Sequence, residues 1–219
     1  LFAPGIRTWG MARELAAVVE HIPTVTLIAP LPGTPSGCAT IDPYDAFRRL
    51  LLERIAAGRR EFYYAAVVTD IADEFSPYAR MYQCFLRVMA EAGIRPMIFP
   101  VNRFAAEGVQ QLSAMAPEVP DGVVFIASYP GLFDAVKMNR PQVDLISYTE
   151  RGETLDRLKG RVTLLHGGMD RCAAAAMELF RRPFNAEGAP RPVVARVAPD
   201  VFPAGTCPAA SPVSKGEGR

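Results

Sequence analysis

Apolar positions in this chain follow two patterns that succeed one another at a regular beat: short uncharged runs, and longer stretches where they recur every three or four residues. The clearest unit spans residues 62–101. Residues 63–69 are β-prone and carry no charge, as expected of a strand buried on both faces of a parallel sheet. Ser76-Pro77 opens a helix, since proline at the first helical position needs no amide partner and serine can cap the free N–H groups. Met81, Cys84, Phe85, Val88 and Met89 then form one apolar stripe, which predicts a helix lying on the sheet. Gly93 stops that helix, and residues 96–101 read as the next strand, parallel to the first and reached by a right-handed crossover.

The same beat runs through most of the chain. Residues 5–8 lead into a helix with Thr8 as cap and Met11, Leu15, Val18 and Val19 as its apolar side; residues 24–29 form a strand. A further short strand is expected upstream of Leu1. Residues 30–40, with three prolines and two glycines, are expected to be a loop. Asp42-Pro43 starts a second helix by the cap-plus-proline logic, with Phe47, Leu50, Leu51 and Ile55 inward and Gly58 at its close. Helices are expected at 105–115, 130–139, 153–159 and 170–182, and strands at 123–127, 143–148 and 161–165. Residues 1–182 therefore predict one α/β domain, a doubly wound, mainly parallel, Rossmann-like sheet of six or seven strands with helices on both faces. Residues 183–219 hold seven of the twenty prolines and read as a linker or tail. Within that stretch, residues 191–197 resemble a strand, either the last of this sheet or the first of a further domain.

Bulk charge narrows the partners. With 24 basic and 23 acidic residues among 219, a net charge of +1 gives no reason to expect nucleic acid or an anionic membrane as the main partner. No apolar run reaches the length of a membrane span, and the first residues lack the pattern of a signal peptide. Cys38, Cys84, Cys172 and Cys207 are far apart and only two histidines occur, so no metal site is expected. Isolated thiols fit a reducing cytoplasm.

Candidate chemistry lies at predicted strand ends and one helix start. Gly5 and Arg7 precede a helix, where free amides and the dipole favour an anion such as a phosphate; an ordinary turn with one solvated arginine is the commoner explanation of such a loop. The three-glycine dinucleotide fingerprint is missing there, which argues against a nicotinamide cofactor. Asp70 follows the carboxyl end of the 63–69 strand, the edge where open α/β sheets bind ligands, and is a candidate general base. Ser128, Glu150 and His166 occupy other strand ends and would rim the same crevice as binding residues. A serine triad is not expected, since no Gly-x-Ser-x-Gly elbow occurs and no histidine follows His166.

Residues 3–16, reading Ala-Pro-Gly-Ile-Arg-Thr-Trp-Gly-Met-Ala-Arg-Glu-Leu-Ala, followed by Thr-Val-Thr-Leu-Ile-Ala-Pro at 24–30, resemble the start of nucleotide-sugar glycosyltransferases built from two Rossmann-like domains. Residues 161–170 with 191–197 resemble that family's link into its nucleotide-binding domain, although Leu-His-Gly-Gly-Met-Asp stands where the family has Leu-Pro-Asn-Gly-Val-Asp. The resemblance implies an acceptor-side half that transfers or binds a sugar, with a nucleotide sugar and a glycan or small-molecule acceptor as partners. Residues 63–102 equally resemble the effector-binding domains of sugar-responsive repressors and periplasmic binding proteins. That alternative implies a non-catalytic domain binding a sugar or metabolite.

Overall fold

The computed structural model describes residues 14, 17, 24–27, 37–67, 76–101, 123–127, 143–150, 152–181 and 194–205. In chain order the elements are β1 (Val25–Leu27), β2 (Gly37–Ile41), α1 (Tyr44–Ala56), β3 (Phe62–Val67), α2 (Pro77–Glu91), β4 (Met97–Val101) and β5 (Val124–Ala127). They continue with β6 (Asp144–Thr149), α3 (Gly152–Leu158), β7 (Thr163–His166), α4 (Met169–Arg181), β8 (Val194–Val197) and β9 (Asp200–Phe202). The fold is α/β with a mainly parallel sheet, as the alternation predicts. Six strands run in the order β4-β3-β5-β6-β7-β9, all parallel except β9 against β7. A second, smaller parallel sheet has the order β1-β2-β8.

The chain passes between the two sheets three times: from β2 to β3, from β7 to β8, and from β8 to β9. α4 makes one of these passages and packs on β1, β2 and β8. One apolar core consequently joins both sheets, taking Val25, Ala39 and Ile41 from the smaller and Tyr64, Ile126, Tyr148 and Leu165 from the larger. β5 shows why the larger sheet needs cover on both faces. Its Val124 and Ile126 enter that shared core, while Phe125 and Ala127 enter a second core containing Leu145, Leu158 and Leu164.

The signals at α2 act as read, whereas at α1 the cap position falls on Pro43, one residue later than the Asp42-Pro43 pattern predicts. The Ser76 hydroxyl accepts from the Tyr78 amide at 3.2 Å, and the five residues of the α2 stripe are all buried. Gly93, at φ +65°, takes the left-handed conformation that ends α2. At α1 the Asp42 carboxylate accepts from the Tyr44 amide at 3.1 Å.

Two strands depart from the expectation. β2 lies inside the expected loop at 30–40 yet is buried throughout. Its residues Gly-Cys-Ala-Thr-Ile are small and poor in strand signal, but small size lets α4 approach closely. A Cβ on Gly37 would stand 3.5 Å from Leu179. β9 is short, flanked by Pro199 and Pro203, and carries no alternation long enough to read. The strand expected at 191–197 is found as β8, which pairs with β2 in parallel. Most of the helix expected after Thr8, and those at 105–115 and 130–139, lie outside the described residues. Among the described residues no helix is long and apolar enough to cross a membrane.

Candidate functional site

The carboxyl ends of β2, β6, β7 and β8 meet at one place. The Asp42 amide donates to the Val197 carbonyl at 2.9 Å, which holds the residue after β2 beside the end of β8. One oxygen of the Asp42 carboxylate then accepts from two guanidiniums, Arg80 of α2 at 2.7 Å and Arg196 of β8 at 2.8 Å. Arg80 Nε is buried and has no hydrogen-bond partner. Two fixed positive charges thus share one negative charge at this edge.

On the larger sheet, Tyr148 is fully buried and its phenol donates to Glu150 Oε1 at 2.9 Å. Burial first, and then the Glu150 carboxylate, push the phenol above its ordinary pKa, so the donor stays protonated. The Tyr148 ring meets the Tyr78 ring of α2 edge-on, with centroids 5.2 Å apart. The Gly167 amide donates to the Thr149 carbonyl at 2.9 Å, continuing the β6–β7 ladder one step beyond β7. A Cβ on Gly167 would collide with the Tyr148 hydroxyl and lie 2.8 Å from Ile41 Cδ1. Gly167 is therefore one place where the two sheets approach closely, and the absence of a side chain makes room for it.

Glu150 and His166, both expected at a crevice from sequence, sit at adjoining strand ends, with His166 in register with Thr149. His166 Nε2 is buried without a hydrogen-bond partner. His166 also pairs across to Asp200 of β9, whose carboxylate meets Arg171 at 3.0 Å. Gly5, Arg7, Asp70 and Ser128 lie outside the described residues. Sequence reading missed the Asp42, Arg80 and Arg196 cluster because its members are far apart in the chain, and Asp42 carried an adequate local explanation as a helix cap. Among the described residues no group of three His, Cys, Asp or Glu is placed to hold a metal ion.

No protein-family model and no curated protein sequence matches this chain. Solved structures do share its fold. A LacI-family transcriptional regulator from Enterococcus faecium with bound ribose aligns at a TM-score of 0.63 and 13% identity, covering 91% of this chain and 77% of the regulator. A LacI transcriptional regulator from a Rhodococcus species aligns at 0.64 and 17%, covering 88% and 72%. A periplasmic binding protein/LacI transcriptional regulator from Alkaliphilus metalliredigens, complexed with D-xylulofuranose, aligns at 0.58 and 14%, covering 83% and 69%.

These likenesses correct the glycosyltransferase resemblance and the activity it implied. The structures sharing the fold are regulators and a binding protein, so a nucleotide-sugar donor and a glycan acceptor are unsupported as partners. The physical reason is that a strand, a glycine turn and a helix begin many parallel α/β sheets. The second echo fails on topology, because Val194–Val197 pair with β2. Excluding nucleic acid on net charge also loses its ground beside neighbours described as transcriptional regulators.

Proposed function

We propose that this chain is a non-catalytic ligand-binding domain that takes a small sugar at the meeting point of its two sheets. The observation that carries the reading is the approach of the ends of β2, β6 and β7 at Gly167, where the Tyr148 hydroxyl, the Glu150 side chain and Ile41 come close to one position. Glu150 supplies a carboxylate oriented by the Tyr148 phenol, and His166 supplies an unpaired ring nitrogen. Both suit sugar hydroxyls, which donate and accept at once. Two neighbours carrying D-xylulofuranose and ribose support a monosaccharide as the ligand class. Arg7, Gly5, Asp70 and Ser128 remain proposed crevice residues on their sequence positions alone, Asp70 now as a hydroxyl acceptor. Residues 1–182 remain the proposed main domain, with β8 and β9 completing its sheets, and a reducing cytoplasm suits the free thiols Cys38, Cys84 and Cys172.

Isothermal titration of the whole chain with a panel of pentoses and hexoses tests this reading. A saturable, one-site heat with at least one sugar, weakened tenfold or more by Glu150→Gln or His166→Ala at unchanged melting temperature, is expected. Binding unaffected by either substitution would place the site elsewhere, and no binding by any sugar would overturn the reading.

A further inference from the structure

The strand ends near Gly167 and Asp42 are electrically divided. Glu150 provides a negative charge whose oxygen is met by a neutral phenol, whereas at the ends of β2 and β8 two guanidiniums meet one carboxylate. Arg196 is more than half exposed, and its Nη1 is committed to Asp42, which leaves further donors of its planar fork for another acceptor. Arg80 lacks an acceptor at its buried Nε. One carboxylate oxygen takes both guanidiniums while the other takes the Tyr44 amide, so among the described residues one negative charge serves two positive ones. Asp42 also sits where the chain passes from one sheet to the other, directly after Ile41, which contacts the Gly167 position.

Resting on the binding reading above, we infer that Arg80 and Arg196 form an anion subsite for a monosaccharide bearing a phosphate or carboxylate group, with Asp42 holding both guanidiniums in place as an internal stand-in for that group. Sugar hydroxyls face Glu150, and the anionic group faces the arginines. The ligand anion engages the donors that Asp42 leaves open and competes with it for those it holds.

The test compares ribose, ribose 5-phosphate, ribonate and inorganic phosphate by calorimetry on the whole chain, in wild type, Arg196→Gln and Asp42→Asn. At least one sugar anion is expected to bind tenfold or more tighter than ribose, and the phosphate and carboxylate arms tell which group is preferred. Arg196→Gln is expected to erase the difference, and raising the salt concentration to shrink it. Asp42→Asn is expected to widen it, because the stand-in charge is gone. Melting temperatures are read first, and should Asp42→Asn fail to fold, the exposed Arg196 position still decides. Equal affinities for ribose and its anions would overturn the subsite while leaving sugar binding intact. Inorganic phosphate binding as tightly as ribose 5-phosphate would also overturn it, as would no binding by any of the four, while the binding reading itself falls only if the whole sugar panel fails too.

Discussion

The phenol of Tyr148 donates to the carboxylate of Glu150 two positions on, at 2.9 Å, across the last pleat of β6. Alternate strand positions face one way, so the pair presents a single oriented carboxylate at the strand end.

Tyr148→Phe removes that donor and leaves the ring's apolar contacts in place. Glu150 is only partly buried and is rehydrated, so the stability loss is expected to be modest, about 1 kcal/mol by urea unfolding. Sugar affinity should fall several-fold, because the carboxylate loses the group that orients it. A large stability loss with unchanged sugar affinity would show that the phenol serves the core and not the site.

Gly167→Ala tests the closure of the sheets. The added methyl group has the Tyr148 hydroxyl and Ile41 Cδ1 in its way, and neither can retreat far from a filled core. Overpacking of this kind costs about 1–3 kcal/mol. Unfolding midpoints for Gly167→Ala and Gly205→Ala make the comparison sharp, since the second glycine has open space around it and loses only its left-handed backbone preference. A smaller loss at residue 167 than at 205 would contradict the close approach.

Alkaline pH should loosen the fold through its buried thiols. Burial pushes the Cys84 thiol up to about 12 and the Cys172 thiol up to about 11, from an ordinary value of 9.0. Cys172 also donates to the Ala39 carbonyl at 3.2 Å. With folded values raised above unfolded ones, the unfolded chain loses these protons first. The stability they support is complete below pH 9 and declines as pH climbs toward 11 and 12. Urea unfolding at a series of pH values between 8 and 10 should show this decline, shallower in Cys84→Ala than in wild type. Parallel curves would assign the decline to other groups.

Much of the larger sheet is legible in sequence because its information is local. The cap Ser76, the α2 stripe from Met81 to Met89 and the stop at Gly93 agree with one another, and the structure follows them. β2 and β9 are illegible for the opposite reason: what makes them strands is a partner distant in the chain, β8 for the one and β7 for the other. The site divides in the same way. Glu150 and His166 are readable as strand ends, but Asp42 gains its second meaning only when Arg80 and Arg196, 38 and 154 residues away, are folded onto it. A helix cap read locally gives no sign of an ion cluster assembled from the ends of β2 and β8 and a helix.

Arg54 provides a contrast at the other end of the sheet. From the last turn of α1 it donates to Asp144 at 2.9 Å and to Thr163 at 2.9 Å, the first residues of β6 and β7. Its side chain and that of Asp144 are each about one-fifth exposed, so the pair is screened less than a surface ion pair. Arg54→Met keeps much of the aliphatic stem and strands a half-buried carboxylate and a fully buried hydroxyl without their donor. Thr163 also receives the Ala204 amide at 3.4 Å, so the end of the β9 segment should loosen as well. The expected loss is about 1.5–3 kcal/mol, the range for hydrogen bonds to charged groups. Because the amino ends of β6 and β7 lie a full strand away from Glu150 and His166, sugar affinity should be unchanged well below the unfolding midpoint. Hydrogen exchange should quicken at the amino ends of β6 and β7 in this variant. Loss of sugar affinity in Arg54→Met at temperatures where the protein stays folded would show that the two ends of the strands are coupled, and would count against a site confined to their carboxyl edge.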